Sequence, residues 1–259
     1  MKQILSFIKT YVILVILFVA QKPLFLLLEK SSTAPQTINI WDYMPQVIWH
    51  GLSLDLGMAG YLSVIPGLLL LVSIWIRKKL VYPILNIYFG IVAFMGAFLF
   101  VLNLGLYPYW NFPLDSTPLF YFFTSPKDAL ASVSFLYIFL AFLAILISAI
   151  GVWFILRVTI KKKTYRSRYM SYGFGDCRGG RRSSYDSDIE RHRLRSSLIL
   201  LVLTALLFLP IRGGVTVSTN NTGKAYFCQD AFLNHAAVNP MFSLFESLSH
   251  QEDFAAQYR

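Results

Sequence analysis

The run VIWHGLSLDLGMAGYLSVIPGLLLLVSIWI, residues 47–76, decides how the rest of the chain is read. It is longer than the roughly 20 helical residues that cross a hydrocarbon core about 30 Å thick. Its apolar letters show no alternation that a half-buried strand would need. A helix this apolar on all sides belongs in lipid. It carries His50 and Asp55. Four other runs share its character: 4–28, 81–106, 129–156 and 194–211. The last is short, and its apolar part starts only at Leu198.

Composition agrees. Hydrophobic residues make up 56% of the 259 and charged residues 14%, against about 25% charged in an ordinary soluble domain. The expected fold is an all-α integral membrane protein with five transmembrane helices in residues 1–211, followed by a linker, 212–259. The first run lacks a small-residue cleavage site after its apolar part, so it reads as a retained anchor rather than a removable signal.

Lys and Arg in short loops mark the cytoplasmic side. Lys2 precedes the first run, and Arg77, Lys78 and Lys79 follow the second. The connection 157–193 between the fourth and fifth runs carries eleven of them, and Arg195 lies just beyond. The alternate connections are poor in both, with Lys30 in one and Lys127 in the other. The expected topology therefore has a cytoplasmic N-terminus, a cytosolic basic linker over 157–193 and an extracytoplasmic C-terminal segment from Arg212. The net charge of +10 is explained by this asymmetry and by contact with membrane lipids. No nucleic-acid module accompanies "GDCRGGRRSS", so nucleic acid is excluded as a partner. Cys177 and Cys228 fall in loops expected on opposite sides, so they are not expected to pair.

Local signals punctuate the chain. "SPKD" at 125–128 reads as a helix start with Ser125 at the N-cap and Pro126 at N1. "SDIE" at 187–190 reads as a capping box. Residues 164–186, rich in Gly, Ser and Arg, read as a flexible linker. The aromatic loop 107–128 is expected at the outer interface, where Tyr and Trp prefer to lie. In "NPMFSLFESLSH", 239–250, Met241, Leu244, Phe245 and Leu248 form one helical stripe behind an Asn239 N-cap and Pro240 at N1. The expected element is an amphipathic docking helix, with Gly213, Gly214, Asn239, Pro240 and Phe245 as linker or docking residues.

Asp55 is the most informative polar residue in a span. A carboxylate at depth costs about 2.5–3.5 kcal/mol on insertion scales, so it needs a partner or a role. The expected intramembrane polar site is His50, Asp55 and Arg212, with Arg212 as the cation. Two functions fit an intramembrane acid: compensation inside a structural bundle, or an ion or proton site in a small transporter or channel subunit using Asp55.

"HGLSLDLGMAGYL" with a proline soon after, 50–66, resembles the second span of bacterial lipoteichoic-acid-synthase-like phosphoglycerol transferases, the membrane-bound branch of the sulfatase and alkaline-phosphatase superfamily. "LPIRGGVTVSTNNTGKAYFCQDAFLNHAAVNPMFSLFESL", 209–248, is similar to the segment that follows the spans in that family. Apart from 164–186, the resemblance covers nearly the whole chain. It implies the bacterial cell membrane and five helices anchoring an extracytoplasmic catalytic domain. It also implies manganese or a similar divalent metal and a threonine nucleophile in that domain. Glu246-Ser247 imitates the family's first metal-site pair but sits on a helix, not at the end of an apolar strand. The resemblance thus implies a chain that stops before the catalytic domain, with no catalytic or metal residue of its own. A separately encoded or missing catalytic domain is the implied partner, and the chain is inactive alone.

Overall fold

The computed structural model describes residues 2–30, 39–76, 78–125, 134–160, 181–215 and 218–250; the side chains of 78–79 and 181–189 lie outside that description. Five helices are long and apolar enough to cross a membrane, and no strand occurs among the described residues. Such a set of helices marks a multi-pass membrane protein, helical throughout its described spans. Helices suit this setting because they satisfy every backbone polar group within one segment.

The spans are α1 (Lys2–Glu29), α2 (Ile40–Trp75), α3 (Lys78–Trp110), α5 (Phe135–Thr159) and α6 (Arg181–Leu206). A short helix α4 (Thr117–Thr124) follows α3. A one-turn extension of α6, α7 (Phe208–Arg212), follows a break ahead of Pro210. Pro210 has no N–H to donate to the Leu206 carbonyl, and its ring crowds that carbonyl, which accounts for the break. Gly213 then stops α7 in the left-handed conformation, φ 88°. Its N–H and that of Gly214 donate to the Leu209 carbonyl, closing off the helix end as a left-handed glycine cap does.

All the described spans but the fourth are longer than their apolar runs. Around α2, Asp42 in the first turn suits the positive end of the helix dipole. Helix α6 begins at Arg181, so Ser187 lies inside it rather than at an N-cap, and 181–186 is helix rather than flexible linker. Residues 181–193 contain neither Gly nor Pro, and a helix already nucleated propagates through such a stretch. The rest of the expected linker, Cys177 within it, and residues 126–128 of the "SPKD" start lie outside the described residues. The described fourth span instead starts from Ser134, whose side chain accepts from the Tyr137 N–H.

Helix α2 is the centre of the bundle. Half of its most apolar window is buried, against none for α5. α1 and α2 pack along each other, α3 pairs with α5, and α6 with α7 lies on α2. Phe7, Leu14, Phe18, Leu54, Met58, Leu70, Leu85 and Phe89 form the middle of the core. At the arginine-rich end, Thr10 and Thr159 hydroxyls meet at 3.2 Å, joining α1 to α5. Large apolar side chains on α5, among them Phe139, Leu140 and Ile147, remain exposed and face lipid.

Residues 218–250 cover the opposite end. They comprise a 3-10 turn (Thr222–Ala225), α8 (Ala231–Ala237) and α9 (Pro240–Ser249). Asparagines clamp this segment. Asn220 donates from Nδ2 to the carbonyls of Ser53 and Pro210, and accepts from the Ser53 hydroxyl at 2.8 Å. Asn234 accepts from the N–H groups of Phe227 and Cys228 and donates to the Cys228 carbonyl.

Candidate functional site

A buried polar node lies where the covering segment meets the spans. Asp55 is fully enclosed on α2. Its Oδ2 pairs with Lys22 Nζ of α1 at 2.5 Å. Its Oδ1 accepts from Asn239 Nδ2 at 2.9 Å. Asn239 does two things at once, because its Oδ1 also accepts from the N–H groups of Met241 and Phe242 as the N-cap of α9. One amide therefore ties the start of α9 to the only carboxylate inside α2's membrane run. Lys22 and Asn239 are 2% and 1% exposed. Two desolvated charges need close pairing and further hydrogen bonds to be tolerated, and this geometry supplies both.

Gly51, one turn before Asp55, makes the approach possible. A Cβ there would collide with the Ala237 carbonyl and the Lys22 side chain. The glycine thus lets α1, α2 and the end of α8 converge on one point. Beside the node is a narrow crevice lined by Gln21, Lys22, Asn103, His235 and Asn239 together with Phe18 and Phe25.

No family model, curated protein or solved structure matches this chain. The geometry therefore carries the functional argument.

The expected trio of His50, Asp55 and Arg212 does not assemble. Arg212 is exposed at the end of α7, and Lys22 takes the place expected for it. His50 is also exposed, its ring stacked on Phe227 with centroids 4.8 Å apart. Lys22 looks in the sequence like a blemish in an apolar run. A usable signal was present: a lone lysine near the C-terminal end of span one and a lone aspartate in the N-terminal half of span two share a leaflet. Antiparallel neighbours bring such positions together.

The docking residues divide. Asn239 and Pro240 are buried at the node, and so are Met241 and Leu244. Phe245 and Leu248 are 41% and 40% exposed, while Phe242 and Ser243 are buried. The first turn of α9 is inserted on all sides, so its stripe does not continue to the end. Gly213 and Gly214 serve the helix stop rather than a close approach at Asp55. Glu246 Oε2 accepts from the Thr222 N–H at 2.9 Å. The Ser247 hydroxyl meets the N–H and hydroxyl of Ser116, just before α4. This pair of residues fastens loops. Among the described residues, no group of three His, Cys, Asp or Glu side chains could hold a metal. Cys228 carries a free thiol.

The aromatic loop also divides. Tyr107 is buried, edge-on to Phe25 at 4.8 Å, and its hydroxyl lies 3.1 Å from His235 Nδ1. Phe120, Tyr121, Phe122 and Phe123 on α4 are exposed. Burial pushes the His235 pKa below its ordinary value, with Asp230 partly opposing. A histidine with a depressed folded pKa stabilises the fold above its unfolded value, near 6.5. That contribution is lost as the pH falls below it. Protease protection of residues 218–250 in purified protein is therefore expected to weaken on acidification from pH 7.5 to 5, and His235→Gln to flatten that profile. An unchanged slope in His235→Gln would assign the effect to another group.

Proposed function

We propose that this chain is the membrane-anchor domain of a phosphoglycerol-transferase or sulfatase-like enzyme that works on lipid headgroups or cell-envelope glycans. It sits in the bacterial cell membrane with its N-terminus in the cytoplasm. One observation carries the reading: residues 218–250 are bound to the spans as a clamped cap, held by the Lys22–Asp55–Asn239 node rather than left as a loose tether. A cap of this kind presents a fixed surface on one side of the membrane, which an anchor for a lipid-processing domain requires. The resemblance of 50–66 and 209–248 to that family names the domain, and with it a divalent metal such as manganese and a threonine nucleophile outside these residues. The lysine and arginine asymmetry supports a cap outside the cytoplasm. Each Asp55 oxygen already has a protein partner, which supports a structural role for that residue over an ion site.

The orientation is checked with Ser249→Cys, an exposed position, in a chain whose own two cysteines are changed to serine. A membrane-impermeant thiol reagent is expected to label intact cells from outside, and labelling only after lysis reverses the topology. The activity is checked by purifying the N-terminally tagged chain from its own membranes and supplying fluorescent phosphatidylglycerol with manganese. The expected result is chelator-sensitive release of diacylglycerol, dependent on an accompanying phosphatase-like domain. If no such domain is encoded with the chain or purifies with it, the reading falls.

A further inference from the structure

A second feature lies at the other end of the bundle, where α2 finishes and α6 enters. Leu71, Val72, Trp75 and Ile76 form one wall of an open groove, and Leu194, Ser197, Leu198 and Leu201 the other. The open groove has a volume of about 460 Å³. The α6 wall is a single stripe, because 194, 197, 198 and 201 stand at i, i+3, i+4 and i+7. Its single side-chain hydroxyl, that of Ser197, is already engaged by the Trp75 indole N–H at 3.0 Å. The lining is therefore almost wholly apolar.

The mouth of the groove has the opposite chemistry. On α6 the turn preceding Leu194 and the residue after it carry Arg191, Arg193 and Arg195, all exposed. Glu190 is the one acid among the described side chains of α6. On the other wall the chain continues from Ile76 directly into Arg77, Lys78 and Lys79. Among the described side chains, three exposed arginines and one acid therefore stand at the α6 side of the open end of an apolar slot. Trp75 lies between the two regions, and indoles favour the level of lipid headgroups. Anion attraction at the mouth and hydrocarbon complementarity inside match one molecule.

We propose that this groove binds one phospholipid with an anionic headgroup, its acyl chain between α2 and α6 and its phosphate among the arginines of α6. The site is independent of any catalytic partner and holds whichever enzyme the cap serves. A lipid seated there would bridge the central helix to the span that leads into residues 218–250.

The full chain in mild detergent, analysed by native mass spectrometry and thermal unfolding, provides the test. Phosphatidylglycerol is expected to remain at one molecule per chain and to raise the unfolding temperature, and phosphatidylcholine to be lost. Arg191→Gln and Arg195→Gln are each expected to weaken retention about fivefold, since a basic residue near an anionic surface contributes about that factor. Leu198→Trp, which fills the slot, is expected to abolish retention while unfolding cooperatively without lipid. Arg157→Gln is the control: it removes a charge at the same end of the bundle, from a guanidinium lying 5.0 Å from the Trp153 ring centre on α5. It is expected to leave retention unchanged. Equal retention of both lipids would overturn the proposal. So would a loss in Arg157→Gln as large as in Arg191→Gln, which would mean diffuse charge attraction. A dimer that Leu198→Trp dissociates would give the groove to a second copy of the chain. The arginine variants alter exposed side chains and decide the question even if Leu198→Trp does not fold.

Discussion

Lys22→Met is expected to cost the folded chain about 3–5 kcal/mol, and Asp55→Leu a similar amount, because each leaves its partner buried and unpaired. The charges are 2% and 0% exposed, so neither can regain water without opening the bundle. The double variant Lys22→Met with Asp55→Leu is expected to cost less than the two losses added, and less than either alone if the apolar pair packs well. A buried ion pair replaced as a unit by apolar groups is often close to neutral. Arg212→Gln is expected to change nothing measurable, since that side chain is exposed. Reversible unfolding in mixed detergent micelles, monitored by tryptophan fluorescence, gives the four values. Strict additivity of Lys22 and Asp55, or a loss at Arg212 comparable to theirs, would mean that the node is not the energetic unit described here. Asn239→Ala reports on the same unit from the cap side. It removes an N-cap, worth about 0.5–2 kcal/mol, together with a hydrogen bond to a charged group, worth about 1.5–3 kcal/mol.

The second large effect has a sign opposite to the one local propensity gives. A helical glycine changed to alanine normally gains about 1 kcal/mol. Gly51→Ala is expected to lose stability instead, by about 1–3 kcal/mol of overpacking, because the new methyl meets a backbone carbonyl at Ala237 as well as the Lys22 side chain. The lysine can shift; the carbonyl moves only if the end of α8 moves with it. Residues 218–250 are accordingly expected to become sensitive to protease in Gly51→Ala while the spans remain folded. Gly105→Ala on α3 is the matched control, since nothing lies within 4 Å of the added Cβ, and it is expected to be neutral or stabilising. If Gly51→Ala also stabilises, α2 and the cap are not in contact at that point.

Particular residues show how far the sequence could be read. The five spans were legible because lipid imposes one rule on every residue of a crossing helix, and composition alone reports obedience to it. The α9 N-cap was legible because Asn239-Pro240 followed by an apolar stripe is a local code. The role of Ser187 was misread, since a capping box needs a chain break before it, and the letters of 181–186 do not prevent helix from running through. The partner of Asp55 was misread for a different reason. Arg212 and Lys22 are both cations near the right depth, and the choice between them depends on which helices are neighbours. Glu246 and Ser247 could be excluded as a strand-end motif from periodicity, but their contacts with Thr222 and Ser116 could not be anticipated.

By itself the amino-acid sequence determined the class of protein, the number of helices able to cross a membrane, the uneven spread of Lys and Arg among the connections and the presence of a helix after the last span. These follow from hydrophobicity, helical period and capping, each of which acts over a few turns of chain. Only the tertiary structure decided that Lys22 meets Asp55, that Asn239 closes the node 184 positions later, and that α2 and α6 leave an apolar groove below a basic mouth. Those features arise from the packing of helices distant in the chain, where a polar group is satisfied by whatever the fold brings alongside it.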